Sequence, residues 1–150
     1  MQQEVELQVP KIVVNETRML DTFSLFVTLQ FRSEDHREEF FKIVKPLADY
    51  IKESEPDTIA FEVICNDKDP LQLMLLERYK NKDTAFLKIH KTSAAFLEYR
   101  PKLQAMQDAG FVQISGNSYL DSGIGFADRA WADLFVTNTL DVQRMIVFPV

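Results

Sequence analysis

The order of the predicted elements between residues 23 and 106, strand, helix, strand, strand, helix, limits the folds open to this chain. The first strand is the clearest, because apolar side chains alternate with mostly polar ones from Phe23 to Phe31. Ser33 then caps a helix whose apolar stripe extends to Ile51. One unit of this kind covers a single face of its sheet. We therefore predict an α+β fold with an antiparallel sheet, paired with a second copy of the chain around a pocket.

The remaining elements follow from alternation, helical spacing and turn residues. They are strands at 58–66, 71–79 and 111–114, helices at 83–90, 93–106 and 127–138, a loop at 117–125 and a strand at 145–148. Asp83 is the predicted cap of the second helix. Pro46 and Pro101 are predicted to kink the helices that contain them. We divide the chain into an N-terminal arm (1–22), a domain (23–115) and a C-terminal extension (116–150).

Composition argues against several classes of partner. The 150 residues contain 17 Lys and Arg against 23 Asp and Glu, a net charge of −6. Without a basic stripe, neither nucleic acid nor an anionic membrane is expected to bind. Cys65 is the single cysteine, and the first residues lack the pattern of a signal peptide, so we expect a cytoplasmic protein. Two histidines and one cysteine give no metal-ligand spacing, and no metal is expected.

Several short motifs lie on the predicted second and third strands and on the helices after them. They are Glu55-Pro56-Asp57-Thr58-Ile59-Ala60-Phe61-Glu62, Asp69-Pro70, Leu75-Leu76-Glu77-Arg78-Tyr79, and His90 with Ser93 and Phe96. Through these residues the chain resembles the antibiotic biosynthesis monooxygenase family, whose ferredoxin-like domains pair into a dimeric α/β barrel. The chain departs from the family pattern in its Tyr79, where Trp is commoner, in a longer spacing from Tyr79 to His90, and in its two terminal segments.

The resemblance implies a cofactor-independent monooxygenase of a quinol-like or polyketide-like aromatic, acting without metal or flavin. His90 would be the base, Tyr79 a hydrogen-bond donor to a substrate oxygen, and Glu77 would orient His90 or hold a proton. The expected partners are a second copy of the chain and a small apolar or aromatic molecule. The expected pocket lining is Phe23, Leu25, Val27, Leu73 and Leu75, some of which could equally be ordinary core.

Each of these residues also has a purely structural interpretation. His90 could satisfy a backbone carbonyl, Tyr79 could pack at a strand end with its hydroxyl in water, and Glu77 could form a salt bridge with a Lys or Arg. Arg78 is predicted on the opposite face of the strand, and His36 is predicted to be solvated.

Two other functions remain open from the sequence. The run Tyr79-Lys80 with Asp83, followed by His90-Lys91-Thr92, is similar to relatives of this fold that isomerise a small phosphorylated carbonyl compound, in which case Lys91 would bind the phosphate. The third possibility is a non-enzymatic dimer that binds a small ligand, since this fold hosts many functions.

Overall fold

The computed structural model describes residues 21–127. The predicted arm up to residue 20 lies outside these residues, as do the strand predicted at 145–148 and nearly all of the helix predicted at 127–138. No helix within residues 21–127 is long and apolar enough to span a membrane.

The chain forms four strands and three helices over the described residues. They are β1 (Phe23–Phe31), α1 (Glu34–Ser54), β2 (Thr58–Cys65), β3 (Gln72–Tyr79), a π-helix (Lys82–His90), α2 (Ala94–Asp108) and β4 (Val112–Leu120). All strand pairs are antiparallel, and the strand order is β2-β3-β1-β4. This is a ferredoxin-like arrangement, which confirms the predicted α+β class.

Three details of the predicted elements were wrong. Asn81, not Asp83, caps the helix that ends at His90, because its side chain accepts from the N–H groups of Thr84 and Ala85 at 2.9 Å. That helix is wound as a π-helix, in which the N–H of residue i bonds to the carbonyl of residue i−5. The predicted loop at 117–125 is strand up to Leu120, because β4 pairs with β1 over its whole length.

The two faces of the sheet differ in what covers them. On one face, here called the helix face, alternate residues of β1 and β3 pack against α1 and α2 through Phe40, Val44, Leu47, Ile51, Leu103 and Met106. The other face, here called the open face, carries Phe26, Met74 and Leu76, all half-buried, and no helix within residues 21–127 packs on it. Both long helices continue as single elements past their prolines.

Candidate functional site

The end of β3 and the end of the π-helix meet on the helix face, and this brings together the three predicted site residues. Glu77 and Tyr79 both project to this face, where they pair across the ladder with Leu25 and Phe23 of β1. His90 is the last residue of the π-helix, and its ring centre lies 5.2 Å from that of Tyr79. The three residues therefore form one buried group.

Tyr79 and Glu77 are joined by a buried hydrogen bond. The Tyr79 hydroxyl donates to Glu77 Oε2 at 2.6 Å, and Tyr79 is fully buried. The interpretation of Tyr79 as a residue with a solvated hydroxyl was therefore wrong. The interpretation of Glu77 as a salt-bridge residue was also wrong, since Glu77 has no Lys or Arg ion-pair partner among residues 21–127. Burial raises the pKa of Glu77, which the bond from Tyr79 and the nearby His90 only partly offset. Burial, together with Glu77, also raises the pKa of Tyr79.

His90 forms a second buried pair, with Glu55. His90 Nδ1 lies 3.0 Å from Glu55 Oε2, and both side chains are only 1% exposed. The Thr58 hydroxyl donates to the same carboxylate oxygen at 3.0 Å. The interpretation of His90 as a partner of a backbone carbonyl was therefore wrong, because its partner is a side-chain carboxylate.

Glu55 was not among the predicted site residues. It caps the C-terminal end of α1 and begins the turn to β2, so its position in the sequence suggests a turn residue. The signal that could have identified it is the first residue of the family motif Glu55-Pro56. A polar residue that is almost fully buried at a turn requires a partner, and His90 is that partner.

Aromatic rings enclose the His90 imidazole. The ring centres of Phe61, Tyr79, Phe86 and Phe96 lie 5.0–6.3 Å from its own. Such apolar surroundings penalise an isolated charge, so an imidazolium here depends on the adjacent Glu55 carboxylate. Glu55 thus gives the His90 ring a polar partner within these aromatic surroundings.

The five predicted lining residues all lie on the helix face, but their burial differs. Phe23, Leu73 and Leu75 are fully buried members of the core. Leu25 and Val27 are only half-buried, and their partners on β4, Ser118 and Gly116, are exposed. These four residues form what we call the open strip of the helix face. It adjoins Glu77, the partner of Leu25 on the other side.

Two clefts are present on the surface of the described residues. One, of about 340 Å³, is lined by residues such as Lys52, Glu55 and Phe61 at the junction of α1 and β2. The other, of about 530 Å³, lies between α1 and α2 and includes His36 and Phe111. Neither is lined by Glu77, Tyr79 or His90, but the cleft at the junction of α1 and β2 includes Glu55 and Phe61, which both lie beside His90.

Three further predicted positions can be compared with the structure. Arg78 lies on the open face, as its alternation predicted, and it forms an ion pair of 3.0 Å with Asp121. His36 is not simply solvated, because its ring stacks on Phe111 at 4.0 Å and its Nδ1 lies 2.9 Å from Ser33 Oγ. Lys91 is exposed, with Nζ 5.8 Å from the ring centre of Phe86. Within the described residues no group of His, Cys, Asp or Glu converges to hold a metal ion.

The family of the chain follows from a comparison of its sequence. The profile of the family described as antibiotic biosynthesis monooxygenase matches residues 23–102, which is more than half of the chain. The chain belongs to the antibiotic biosynthesis monooxygenase family. Every strand and helix that contributes to the buried group lies within the matched residues. No protein with a curated description matches the chain.

Solved structures share the fold of this family member. A conserved protein from Methanosarcina mazei is 20% identical, with a TM-score of 0.58 over 71% of this chain and 98% of the other. A protein from Nitrosomonas europaea, named only by inference as an antibiotic biosynthesis monooxygenase, is 20% identical, with a TM-score of 0.54 over 68% and 91%. A point mutant of SnoaB, a cofactor-independent oxygenase from Streptomyces nogalater, is 12% identical, with a TM-score of 0.53 over 68% and 94%. At sequence identities this low, the similarity to these structures shows a shared fold and nothing further.

Proposed function

We propose that this chain is a cofactor-independent monooxygenase of a quinol-like or polyketide-like aromatic and that it works as a homodimer. The family membership supports the reaction class, and one solved neighbour is named as an oxygenase of this kind. The observation that carries the proposal is the buried His90–Glu55 pair beside the Tyr79–Glu77 hydrogen bond. Together these groups provide a base, a carboxylate that orients it and a buried acid.

His90 is the base in this proposal. Its Nδ1–H donates to Glu55, which fixes the tautomer and leaves Nε2 to accept the proton of a substrate hydroxyl or enol. The imidazolium that results faces the Glu55 carboxylate at 3.0 Å. Thr58 holds the same carboxylate oxygen in place. Glu55 is therefore a positioning residue, which acts through His90.

The reaction needs no external reductant when the substrate is an anthrone. The substrate anion passes an electron to dioxygen, and the two radicals combine to form a carbon-bound peroxide. Loss of water then leaves a carbonyl, so that one oxygen atom enters the product and the other leaves with the two hydrogens of the methylene group. Glu77 supplies a proton to the leaving oxygen, because burial raises the pKa of its carboxyl and so favours the protonated form.

The substrate lies on the open strip, against the half-buried Leu25 and Val27 and next to Glu77. The open face of the sheet packs against a second copy of the chain, because half-buried apolar side chains such as Phe26 and Leu76 line it. Isomerisation of a phosphorylated compound has no comparable support, since the exposed Lys91 lies against the Phe86 ring outside the buried group.

Oxygen consumption tests the proposal. The purified, metal-free protein is assayed with a panel of hydroquinones and anthrones, beside a heat-inactivated sample. His90→Ala is expected to lower the rate by about 100-fold or more, the usual contribution of a general base. His36→Ala is the matched control, because the other histidine of the chain stacks on Phe111 away from the buried group, and its rate should stay unchanged.

Two results would count against the proposal, and one would show only that the variants are damaged. Uptake that is equal in the wild type and in His90→Ala would remove His90 from the role of base. Uptake lost equally in both histidine variants would indicate a general loss of structure, which circular dichroism would detect. No enzyme-dependent uptake from the folded wild type across the panel would contradict the oxygenase, and ligand binding without turnover would then favour a small-ligand-binding dimer.

A further inference from the structure

The helix α2 carries buried polar atoms whose role the proposed reaction does not explain. The Tyr99 hydroxyl, Arg100 Nη1 and Gln107 Oε1 are buried without a hydrogen-bond partner among the described residues. Buried polar groups are nearly always paired, because an unpaired one destabilises the fold. Two of these groups, on Tyr99 and Arg100, are adjacent in sequence and can both donate a hydrogen bond. An unpaired pair of donors of this kind suits an acceptor from outside the described residues.

The hydroxyl of Tyr99 lies in the interior, beside the candidate site. Tyr99 is only 5% exposed and belongs to the core cluster that includes Leu73 and Leu75. Burial raises the pKa of its hydroxyl, Glu77 raises it further, and Arg100 acts in the opposite direction. The hydroxyl is thus within electrostatic range of the Glu77 carboxyl on β3 and of the Arg100 guanidinium.

Phe96 connects this part of α2 to the base. Its ring centre lies 5.0 Å from that of His90 and 6.3 Å from that of Tyr99. Tyr99 and Arg100 follow Phe96 by three and four residues, so each of them is a neighbour of Phe96 on the helix surface. Arg100 is half-buried, while Tyr99 is almost fully buried. Tyr99 therefore lies in the interior and Arg100 nearer the surface, and the Phe96 ring is next to both His90 and Tyr99.

We propose that Tyr99 and Arg100 bind an anionic oxygen of the ligand, and that the ligand is a planar aromatic with a carboxylate or ionised hydroxyl remote from His90. A hydroxyl and a guanidinium both donate to such an oxygen, and the guanidinium also supplies the opposite charge. The inference rests on the proposed function for the place of the ligand, which lies with its reacting end towards His90.

Calorimetric titration with a matched pair of probes tests the charge preference. The probes are 2-naphthoate and its neutral counterpart 2-naphthamide, which have the same ring system and nearly the same shape. The wild type is expected to bind naphthoate about tenfold or more tightly than naphthamide, as a hydrogen bond to a charged group provides. Tyr99→Phe and Arg100→Gln should each weaken naphthoate binding by about tenfold or more and leave naphthamide binding unchanged.

Lys102→Gln is the control for the general loss of a positive charge. Lys102 is exposed on the same helix and pairs with Glu98, so its replacement should leave both affinities unchanged. The melting temperature provides a second measurement. Tyr99→Phe should melt at or above the wild-type temperature, because the substitution removes an unpaired buried hydroxyl and nothing else.

Several outcomes would overturn the inference. These are equal affinity for the two probes, no binding of naphthoate, an equal loss in Lys102→Gln, or a clear drop in the melting temperature of Tyr99→Phe. The last would show that the hydroxyl has an internal partner. The proposed function fails separately: charge-selective binding without oxygen uptake would leave the anion site standing, whereas oxygen uptake without charge selectivity would overturn this site alone.

Discussion

At the scale of single residues, two carboxyl groups and one imidazole share a small apolar volume. Burial raises the pKa of Glu77, and the charge of the nearby Glu55 raises it further. Glu55 faces His90 and Thr58, which both stabilise a negative charge, while Glu77 has only a neutral hydroxyl as its partner. The two acids are therefore divided by their surroundings, and those of Glu77 favour its neutral carboxyl.

Replacing Glu77 tests this division. The pKa of Glu77 is raised in the folded state, so its contribution to stability is complete below its pKa in the unfolded chain and is lost as the pH rises through the folded value. Glu77→Gln keeps an oxygen that accepts from Tyr79 and lacks this loss. The variant should exceed the wild type in free energy of unfolding at pH 8, by an amount that shrinks towards pH 4, as urea denaturation at several pH values would show.

The exposed Glu53→Gln on α1 is the control, and its difference from the wild type should not follow this trend. A Glu77→Gln variant that is less stable than the wild type at pH 8 would contradict the assignment of the proton to Glu77.

Removing the carboxylate of Glu55 is expected to lower the free energy of unfolding. Glu55→Ala leaves His90 Nδ1 buried without its partner, and breaking a buried pair in this way costs about 3 kcal/mol. Asp49→Ala removes an exposed partner of Lys45 and should cost less than about 1 kcal/mol. The free energy of unfolding in urea distinguishes the two. Similar small losses in both variants would mean that the buried pair does not hold the structure together.

The sequence predicted part of this residue group and missed the rest for a physical reason. Alternation along β3 correctly places Glu77 and Tyr79 on one face, since a strand has a period of two. Glu55 and His90 are 35 residues apart, and no local pattern indicates that a turn residue and a helix end will meet. Their pairing depends on tertiary packing, which only the folded chain shows.

At the scale of elements, predictions succeeded where one pattern dominates and failed where tertiary pairing or an unusual helix decides. The alternation from Phe23 to Phe31 gave the bounds of β1, and Ser33 correctly marked the start of α1. Gly116, Asn117 and Ser118 favour turns, yet they form strand because β1 offers them a full ladder of partners. The helix at 83–90 was predicted without its π winding, because sequence patterns for helices assume 3.6 residues per turn.

The cap of the π-helix distinguishes the structure from the sequence prediction. Asn81→Ala removes the acceptor of two backbone N–H groups and should lower the free energy of unfolding by about 1 kcal/mol. Asp83→Ala removes an exposed carboxylate from the first turn and should cost less. Thermal denaturation of the two variants side by side gives the comparison. A larger loss for Asp83→Ala would restore Asp83 as the cap.

At the scale of the whole molecule, the described helices cover only one of the two faces of the sheet. The open face carries half-buried apolar side chains on both central strands, and Ile64 on β2 is 44% exposed. An apolar sheet face of this kind is normally covered by a partner, which is the physical basis of the proposed homodimer.

A charge at the centre of the open face should prevent pairing. Leu76 lies on β3, and Leu76→Glu would place two like charges in the proposed interface, one from each copy. We expect a dimeric wild type and a monomeric variant in sedimentation velocity. Leu97→Glu is the control, because Leu97 is 59% exposed on α2 and should leave the mass unchanged. A monomeric wild type, or a dimeric Leu76→Glu variant, would argue against this interface.

The strand order holds Glu77 and Tyr79 in place by more backbone hydrogen bonds than hold His90. Glu77 and Tyr79 lie on β3, which is hydrogen-bonded along both edges, so neither side chain moves far without disrupting the sheet. His90 ends a short helix that stands outside the ladder and is held by its contact with Glu55 and by ring packing. Local opening of a folded protein involves the segments with the fewest stabilising contacts. We therefore expect the helix, and not β3, to move when the imidazole becomes accessible to solvent.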